Sequence, residues 1–368
     1  MKHILIVDIS SSVGGIETLF YGLFGKKQKY FKVSFLVYNN KCAFEDEYIA
    51  LGYDVYHLKS RRENPFGFAK QIKGFFIEHN EFDYVWVNTA STSMYQCQYY
   101  AKRFTQATII THSHGTEFEK TSSHISYLIN QALSKINYRK VVNNTDLFFC
   151  CSIKAGLALF GDKYLDRLVL VRNGIDLDKF LYSEENRKSI RESLGISADD
   201  TVIGLIGRIS NQKNPFKAIS IFSSYLKINQ NSKLIIIGDG NLRDELEKRI
   251  EEEKIVDKVI MLGYRRDIPE LLSAIDVLLM PSLFEGLPLT AVEAQANGIY
   301  CLLSDTITKE VAITDLVEFL GLTESDEEWA RCISNFENSK NRAVYNSVVR
   351  KEKYDINDTL QYLYTLLK

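Results

Sequence analysis

Two successive series of short apolar segments, separated by amphipathic stretches, set the narrowest limit on how this chain can fold. The strand-like segments of the first series are 4–9, 32–38, 54–58, 84–88, 107–114 and 147–152. Those of the second series are 201–209, 233–240, 259–263, 276–282 and 299–305. Segments that are apolar throughout are typical of parallel strands covered on both faces. The alternation therefore predicts an α/β protein with two doubly wound, Rossmann-like domains.

The domain border is predicted at the turn signal Asn173-Gly174, which interrupts the alternation. We expect an N-terminal domain over 1–172, a second domain over 173–352, and a terminal amphipathic helix over 353–368 that packs back on the first. Ligands of open α/β sheets bind at the carboxyl ends of the strands. We therefore expect the two domains to face a cleft, and function to lie in the loops that follow strands.

The distribution of charge is uneven, although the whole chain carries a formal charge of only −2. Residues 1–180 hold 22 Lys and Arg against 17 Asp and Glu, whereas the remainder holds 23 against 30. A basic first half favours an anionic partner or an anionic membrane surface. Chance partition of solvated helix faces explains the same numbers, and both interpretations stay open.

The compartment is predicted from what the sequence lacks. The cysteines at 42, 97, 150, 151, 301 and 332 have neither metal-ligand spacing nor a disulfide framework, which favours reduced thiols. No apolar run reaches the roughly 18 residues needed to span a bilayer, and the opening "MKHILIVDIS" reads as a strand. We expect a cytoplasmic protein, with contact to the inner face of the plasma membrane left open.

The segment "LFEGLPLTAVEAQANG" (283–298) places one glutamate before a predicted helix and another inside its first turns. The backbone N–H groups at a helix start favour anions such as phosphate, and Leu289 and Thr290 supply them. Glu293 suits the hydroxyls of a ribose, and Glu285 suits those of another sugar. A diphosphate between two carboxylates describes a sugar nucleotide. The alternative is ordinary acidic residues at a helix start.

Three further loops follow predicted strands. In "GRISNQKNP" (207–215), Arg208 and Lys213 could converge on a diphosphate, unless this is a solvated turn. In "SSSVGGIET" (10–18), Gly14 and Gly15 permit close approach of a ligand, or form a plain turn. In "IIIGDGNL" (235–242), glycines such as Gly240 would let backbone pass close to a nucleotide.

The segment "ITHSHGTEF" (110–118) has two histidines after a strand. The turn at Gly115 favours His114 over His112 as the residue that bonds a sugar hydroxyl, and the choice between them stays open. Metal ligation lacks a third ligand at suitable spacing. Structural or capping histidines are the alternative.

Taken together, these motifs resemble those of the retaining glycosyltransferase family 4, whose members have the GT-B fold. The matching segments are "GGIE" (14–17), "HSHG" (112–115), "NGID" (173–176), "GRISNQK" (207–213), "GDGNL" (238–242), "LGYRRDIPELLSAIDVLLMPS" (262–282) and "EGLPLTAVEAQANG" (285–298). They occur in the family's order and span most of the chain. After Gly298 the sequence departs from the family, because Ile299-Tyr300-Cys301 replaces the usual small or basic residue and proline.

The resemblance implies a role for each matching residue. Glu285 would hold donor-sugar hydroxyls, Glu293 the ribose, and Arg208 and Lys213 the diphosphate, with Arg208, Lys213, Glu285 and His114 as the catalytic group. The nucleotide- and sugar-binding residues would be Gly14, Gly15, Gly240, Tyr264, Gly286, Leu287, Leu289, Thr290 and Glu293.

The implied reaction is retaining transfer of a hexose or N-acetylhexosamine from a nucleotide sugar, with UDP as the expected carrier. Cations and a helix start can stabilise the leaving diphosphate, so no cofactor or metal is expected. The acceptor is expected to be a glycan, lipid-linked, in surface polysaccharide synthesis. The alternatives are an epimerase, a disaccharide-phosphate synthase, or a non-catalytic subunit that binds sugar nucleotides. No nucleic-acid-binding module is present, and the oligomeric state stays open.

The segment "KSRRENPFGFAKQIKGFF" (59–76) mixes five basic residues with four phenylalanines. Such a mixture suits a helix that rests on an anionic membrane and receives a lipid-linked acceptor. A surface helix whose aromatic residues enter the core is the other interpretation.

Overall fold

The chain folds into two compact units, each built on its own parallel sheet. A computed structural model describes residues 1–115, 124–336 and 341–368. Unit 1 comprises Met1–Gly174 and Ile356–Lys368, and unit 2 comprises Ile175–Asp355. Each unit contains one of the two series of apolar segments, so the prediction of two doubly wound α/β domains is confirmed.

Unit 1 has, among the described residues, a seven-stranded sheet in the order β3-β2-β1-β4-β5-β6-β7, with all neighbours parallel. Its strands are β1 (Lys2–Val7), β2 (Phe31–Val37), β3 (Asp54–His57), β4 (Tyr84–Thr89), β5 (Thr108–Ser113), β6 (Leu147–Cys150) and β7 (Leu168–Leu170). Its helices are α1 (Gly15–Phe24), α2 (Glu45–Ala50), α3 (Phe68–Glu78), α4 (Gln96–Phe104), α5 (His124–Asn143), α6 (Ile153–Phe160) and, from the end of the chain, α14 (Ile356–Leu366).

The first strand shows why its sequence is apolar from Ile4 to Val7. Ile4 and Ile6 pack into one hydrophobic cluster with residues of α1 and α14, whereas Leu5 and Val7 pack into another with residues of α3 and α4. Successive side chains of a strand point to opposite faces, so a strand covered on both faces needs apolar residues throughout.

Unit 2 has, within the described part of the chain, a six-stranded parallel sheet in the order β10-β9-β8-β11-β12-β13. Its strands are β8 (Thr201–Ile206), β9 (Ser232–Ile237), β10 (Val259–Gly263), β11 (Val277–Met280), β12 (Tyr300–Ser304) and β13 (Val317–Leu320). Its helices are α7 (Glu184–Ser193), α8 (Pro215–Leu226), α9 (Arg243–Glu252), α10 (Ile268–Ala274), α11 (Leu289–Ala296), α12 (Asp326–Asn335) and α13 (Val344–Lys351).

The first and last residues of unit 2 are neighbours in the structure. Ile175 forms a parallel bridge with Asp355, and its backbone N–H donates to the carbonyl oxygen of Tyr354 at 2.9 Å. After this point α14 joins unit 1, where the side chains of Ile356, Leu363 and Leu367 are buried in the α1 cluster. Unit 1 is therefore assembled from two separate stretches of sequence.

No helix in the described ranges is both long enough and apolar enough to cross a membrane. In the 59–76 segment, the structure buries Phe68, Phe75 and Phe76 in the cluster that α3 forms with the sheet. Phe66, just before α3, is completely exposed. The aromatic residues of this segment therefore serve mainly the core, and Phe66 alone among its phenylalanines faces solvent.

Candidate functional site

The strand order of unit 2 reverses direction between β8 and β11, which are neighbours in the sheet. Loops that leave the carboxyl ends of two such strands border one crevice, where α/β proteins bind ligands. Here the two loops are 207–214, which carries Arg208 and Lys213, and 281–288, which carries Glu285. The topology thus brings together motifs that are distant in the sequence.

Lys213 and Glu285 form an ion pair across these loops, with Nζ and Oε1 2.7 Å apart. The side-chain amide of Gln212 donates to the other oxygen of Glu285 at 3.2 Å and to the carbonyl of Phe284 at 3.1 Å. The backbone carbonyl of Gln212 accepts from the N–H of Leu283 at 2.8 Å. Because both side chains of the ion pair are largely buried, Lys213 is held at a defined position in the crevice.

The path of the 207–214 loop depends on special backbone angles. Gly207 has a φ of +139°, and a Cβ there would lie 2.8 Å from Cε of Lys213. Asn214 adopts the left-handed conformation immediately before Pro215 begins α8. Proline suits the first position of a helix, where its missing N–H leaves no partner unbonded. The chain therefore turns sharply after Lys213 and leaves the lysine at the mouth of the crevice.

The glycines of the "GDGNL" segment have a packing role that the sequence did not indicate. A Cβ on Gly238 would lie 2.0 Å from the carbonyl oxygen of Gly207, and one on Gly240 would lie 2.2 Å from that of Ile209. The N–H of Ile209 also donates to the carbonyl of Asp239 at 3.0 Å. These glycines let two loops of the protein approach each other, while contact of Gly240 with a nucleotide stays a prediction.

Arg208 and Tyr264 are exposed. Tyr264 follows β10 and is 53% exposed, and Arg208 directly follows Gly207. The described residues give neither side chain a hydrogen bond or an ion pair. The structure therefore leaves both side chains free to reach a ligand, and their predicted contacts with diphosphate and base stay predictions.

The start of α11 lies directly after the second loop. Pro288 precedes the helix, and no side chain caps it. Over the described ranges, no acceptor is bonded to the backbone N–H groups of Leu289 and Thr290. Gly286 and Leu287 are buried in the turn that leads to these groups. An uncapped helix start with free N–H groups has the electrostatic character that favours an anion.

Glu293 lies one turn into α11 and is only 8% exposed. Its carboxylate has no hydrogen-bond partner among the described residues. Burial raises the pKa of Glu293 to about 7, against an opposing effect of the positive charge on Lys213. Lys213 thus acts electrostatically on both glutamates, and the structure brings Lys213, Glu285, Glu293 and the α11 start together.

Unit 1 shows the same reversal of strand order, between β1 and β4. The loop after β1 contains Gly14 and Gly15, of which Gly15 is the first residue of α1. A Cβ on Gly15 would meet nothing within 4 Å, so packing does not require glycine there. Glu17 is buried, and its carboxylate accepts from the N–H of Ser10 at 2.9 Å, which fixes the loop.

The two histidines of the "ITHSHGTEF" segment in unit 1 have different positions. His112 lies within β5 and is fully buried, whereas His114 follows the strand and is partly buried. Their ring centroids are 3.9 Å apart. Burial lowers the pKa of His114 to about 3, and burial together with His114 lowers the pKa of His112 well below its usual range. Both rings are therefore neutral at physiological pH. Residues 116–118 of this motif lie outside the described residues.

Sequence reasoning missed three polar residues at these loops. Gln212 ties the two loops of unit 2, and Glu17 fixes the glycine loop of unit 1. Asn88, at the carboxyl end of β4, bonds His114, with Oδ1 and Nε2 2.9 Å apart. The "GGIE" and "GRISNQK" motifs contain Glu17 and Gln212, whereas no motif pointed to Asn88.

A small cavity with both polar and apolar lining residues opens beside these residues of unit 1. Asp8, Tyr38, Asn88 and Cys97 are among its lining residues. Asp8 has a φ of +70°, and burial with the charge of Glu17 raises its pKa to about 6. Among the described residues, no group of three or more His, Cys, Asp or Glu is placed to hold a metal ion.

A family profile and individual relatives that match this sequence are all described as glycosyltransferases. The sequence profile of the family described as glycosyl transferases group 1 matches residues 186–351. A protein named as a glycosyltransferase, EpsF of Bacillus subtilis (strain 168), is 30% identical over 343 residues, which cover 90% of this chain and 87% of that protein. The UDP-Gal:alpha-D-GlcNAc-diphosphoundecaprenol alpha-1,3-galactosyltransferase of Escherichia coli is 30% identical over 217 residues, which cover 56% of this chain and 54% of that protein.

Two solved structures show the same fold over the whole chain. Alr3699/HepE of Anabaena, in complex with UDP-glucose, aligns with a TM-score of 0.78 at 18% identity and covers 100% of this chain and 99% of that one. WaaG, a glycosyltransferase involved in lipopolysaccharide biosynthesis, aligns with a TM-score of 0.72 at 14% identity, with coverages of 100% and 99%. At these identities the structures show the fold alone.

Proposed function

The chain belongs to the glycosyl transferases of group 1 and has the GT-B fold, and from this premise we propose that it is a retaining glycosyltransferase that uses a UDP-sugar. The family resemblance predicted from the sequence is thereby confirmed. In this proposal the enzyme moves a hexose or N-acetylhexosamine to a lipid-linked glycan acceptor in surface polysaccharide synthesis. The observation that carries it is the meeting of Lys213, Glu285, Glu293 and the uncapped start of α11 in one crevice.

Each of these groups matches one part of a nucleotide sugar. The diphosphate accepts from the N–H groups of Leu289 and Thr290 and is neutralised by Lys213 and the exposed Arg208. The ribose hydroxyls donate to Glu293, whose carboxylate is bonded to none of the described residues. The donor sugar hydroxyls donate to Glu285. Charge-assisted hydrogen bonds of this kind contribute about 1.5–3 kcal/mol each.

The proposed reaction needs no enzymic base. The acceptor hydroxyl approaches the anomeric carbon from the face of the leaving group. As the bond from that carbon to the diphosphate oxygen breaks, the bond to the acceptor oxygen forms, and the acceptor proton passes to the departing diphosphate. Positive groups fixed where negative charge develops lower the barrier, because they need no rearrangement during the reaction.

The proposed acceptor is supported by relatives and by charge. The E. coli relative acts, by its name, on a diphosphoundecaprenol-linked sugar, and an alpha-monoglucosyldiacylglycerol synthase of Streptococcus pneumoniae is 28% identical over 51% of this chain. The first half of the chain is basic, and the exposed Phe66 lies near the basic residues Arg61 and Arg62. We therefore propose that the enzyme works at the inner face of the plasma membrane.

The decisive experiment measures donor binding and transfer with a panel of nucleotide sugars. A ligand at a hundred times its dissociation constant stabilises the protein by about 2.7 kcal/mol, which thermal shift detects. The selected donor is then followed by NMR with a lipid-diphosphate sugar acceptor, and the product should keep the anomeric configuration of the donor. Inversion excludes the retaining mechanism. Release of an epimer indicates an epimerase, a sugar-phosphate acceptor indicates a disaccharide-phosphate synthase, and binding without turnover or donor hydrolysis indicates a non-catalytic subunit.

Membrane contact is tested separately by flotation with anionic and neutral liposomes. We expect binding to anionic liposomes that weakens as salt screens the charges. Replacement of Phe66, Arg61 and Arg62 by serine should reduce it without a change in donor binding. Absence of binding at low salt would remove the membrane from the proposal and leave the transferase activity untouched.

A further inference from the structure

Asn88 stands between two groups that together determine which way its amide points. Its Nδ2 donates to the carbonyl oxygen of Val7 on β1 at 3.1 Å, and its Oδ1 lies 2.9 Å from Nε2 of His114. The side chain is 1% exposed, so water does not compete for either contact. The reverse orientation would set the amide oxygen against the Val7 carbonyl, where neither atom can donate a hydrogen. The Val7 carbonyl therefore fixes Oδ1 toward His114.

An amide oxygen can only accept, so Nε2 of His114 must donate to it. We infer that Asn88 is a positioning residue that holds the proton of His114 on Nε2 and leaves the lone pair of Nδ1 to accept a hydrogen bond from a ligand hydroxyl. In a neutral imidazole one nitrogen donates and the other accepts, and the partner of the first nitrogen decides which is which. The backbone of β1 thus orients the amide of Asn88, and Asn88 in turn holds the proton of His114 on Nε2.

Three observations agree with an accepting Nδ1. Burial keeps His114 uncharged, because it lowers the pKa to about 3, so Nδ1 does not carry a second proton. Among the described residues, Nδ1 has no hydrogen-bond partner. Within the described ranges, the titratable group against the ring is His112, which is itself neutral.

The tautomer of His112, which lies within β5, is set by a different partner, Trp86. The indole Nε1 of Trp86 can only donate, and it donates to Nδ1 of His112 at 3.3 Å. The proton of neutral His112 is therefore on Nε2, which is buried and has no partner in the part of the chain that the structure describes. Its accepting nitrogen is already occupied. Of the two adjacent imidazoles, His114 alone offers a lone pair to a ligand.

The hydrogen bond between Nδ1 of His114 and a ligand has a defined direction. A ligand hydroxyl donates its hydrogen to Nδ1, and the oxygen of that hydroxyl keeps both lone pairs for other donors. That the hydroxyl belongs to the donor sugar rests on the proposed function. The tautomer itself does not, so it can be tested on the protein without substrate.

The first test is NMR of protein whose histidines carry ¹⁵N, of which the chain has six. The spectrum of the His114→Asn variant lacks one ring and thereby assigns the His114 signals. We expect a pyrrole-type shift at Nε2 and a pyridine-type shift at Nδ1, from pH 6 to pH 8. A protonated Nδ1, or an average of both tautomers, overturns the inference.

The second test changes Asn88. In Asn88→Leu, which removes the acceptor but keeps the number of side-chain heavy atoms, His114 should show both tautomers. In Asn88→Asp the added carboxylate favours the imidazolium, so His114 should take up its second proton at a higher pH than in the parent. An unchanged tautomer in Asn88→Leu, or an unchanged titration in Asn88→Asp, means that Asn88 does not position the ring.

A kinetic test links the tautomer to the ligand. Loss of one hydrogen bond predicts a KM for the nucleotide sugar raised roughly 2- to 10-fold in Asn88→Leu. Affinity for UDP, which lacks the sugar, should stay the same. Equal losses for both ligands would indicate a general structural effect and would remove the sugar hydroxyl from the inference. If no nucleotide sugar binds the parent protein, the proposed function fails while the tautomer result stands.

Discussion

Replacement of Glu293 by glutamine should stabilise the free protein as the pH rises and, at the same time, weaken donor binding. The folded protein holds this carboxyl group in a buried position that raises its pKa to about 7, whereas its ordinary value is 4.5. A carboxyl group of this kind favours folding most below pH 4.5, and that advantage is lost as the pH rises through 7. Glutamine has a similar shape and never ionises.

The size of the effect of pH on folding stability follows from the pKa of Glu293 in the folded protein and its ordinary value. Ionisation of Glu293 opposes folding by about 1 kcal/mol at pH 5 and by about 3 kcal/mol at pH 8. The stability of Glu293→Gln relative to the parent should therefore increase by about 2–3 kcal/mol between these pH values. Because no described residue forms a hydrogen bond with this carboxylate, no lost contact with them offsets the gain in the free protein.

Urea denaturation at pH 5 and pH 8 measures the difference, with Glu270→Gln, an exposed glutamate of α10, as the matched control. The control should change by less than about 0.5 kcal/mol at either pH. Calorimetry with UDP gives the second readout. Loss of a charged acceptor for the ribose hydroxyls should weaken UDP binding by roughly 10- to 100-fold.

Two results would refute the reasoning. If the stability difference between Glu293→Gln and the parent is the same at pH 5 and pH 8, then the carboxylate is not held at a raised pKa. If UDP binds the variant as tightly as the parent, then Glu293 does not hold the ribose. The parent should also bind UDP more tightly at pH 8 than at pH 6, since only the ionised carboxylate accepts from both hydroxyls.

Four further outcomes can be checked with the same protein. Gly15→Ala should fold normally, since nothing lies within 4 Å of its Cβ, yet lose donor affinity in a calorimetric titration; undiminished affinity would exclude close ligand approach there. Gly240→Ala should instead lower the free energy of unfolding by about 1–3 kcal/mol, because its Cβ would meet a backbone oxygen at 2.2 Å, and a stable variant would contradict the packing argument. Lys213→Ala and Arg208→Ala should each reduce kcat by roughly 100-fold or more in a transfer assay, with the circular dichroism spectrum unchanged and Lys217→Ala as the control; near-normal turnover in both would exclude their roles. A chelator should leave turnover unchanged, and loss of activity that added Mg²⁺ restores would show that the reaction requires a metal.

Most of the strands that the sequence predicted lie inside their sheets, where side chains are buried on both faces. β1, β8 and β11 are mainly apolar and central in their sheets, although β3 and β10, which were also predicted, are edge strands. The strands that it missed, β7 and β13, lie at the sheet edges, where residues are only partly buried and Glu318 interrupts the pattern. An edge strand has a neighbour on one side only, so its sequence need not be continuously apolar.

The site could be predicted where a motif follows a central strand. Lys213 and Glu285 were placed together from their positions after two strands, and the strand order brings those ends side by side. Asn88 and Gln212 were not predicted, because their partners are set by strand pairing and loop path rather than by spacing along the chain. Likewise, Gly240 reads from the sequence as a ligand contact, whereas its close neighbour in the structure is backbone.

The return of α14 to unit 1 has a consequence for synthesis of the chain. The strands of unit 1 leave the ribosome first, but its α1 cluster lacks Leu363 and Leu367 until all of unit 2 has been made. Unit 2 is one continuous stretch and can complete its core earlier. Domains generally fold as units during synthesis. We therefore expect unit 1 to complete its α1 cluster only after unit 2 has been made, although most of unit 1 precedes unit 2 in the sequence.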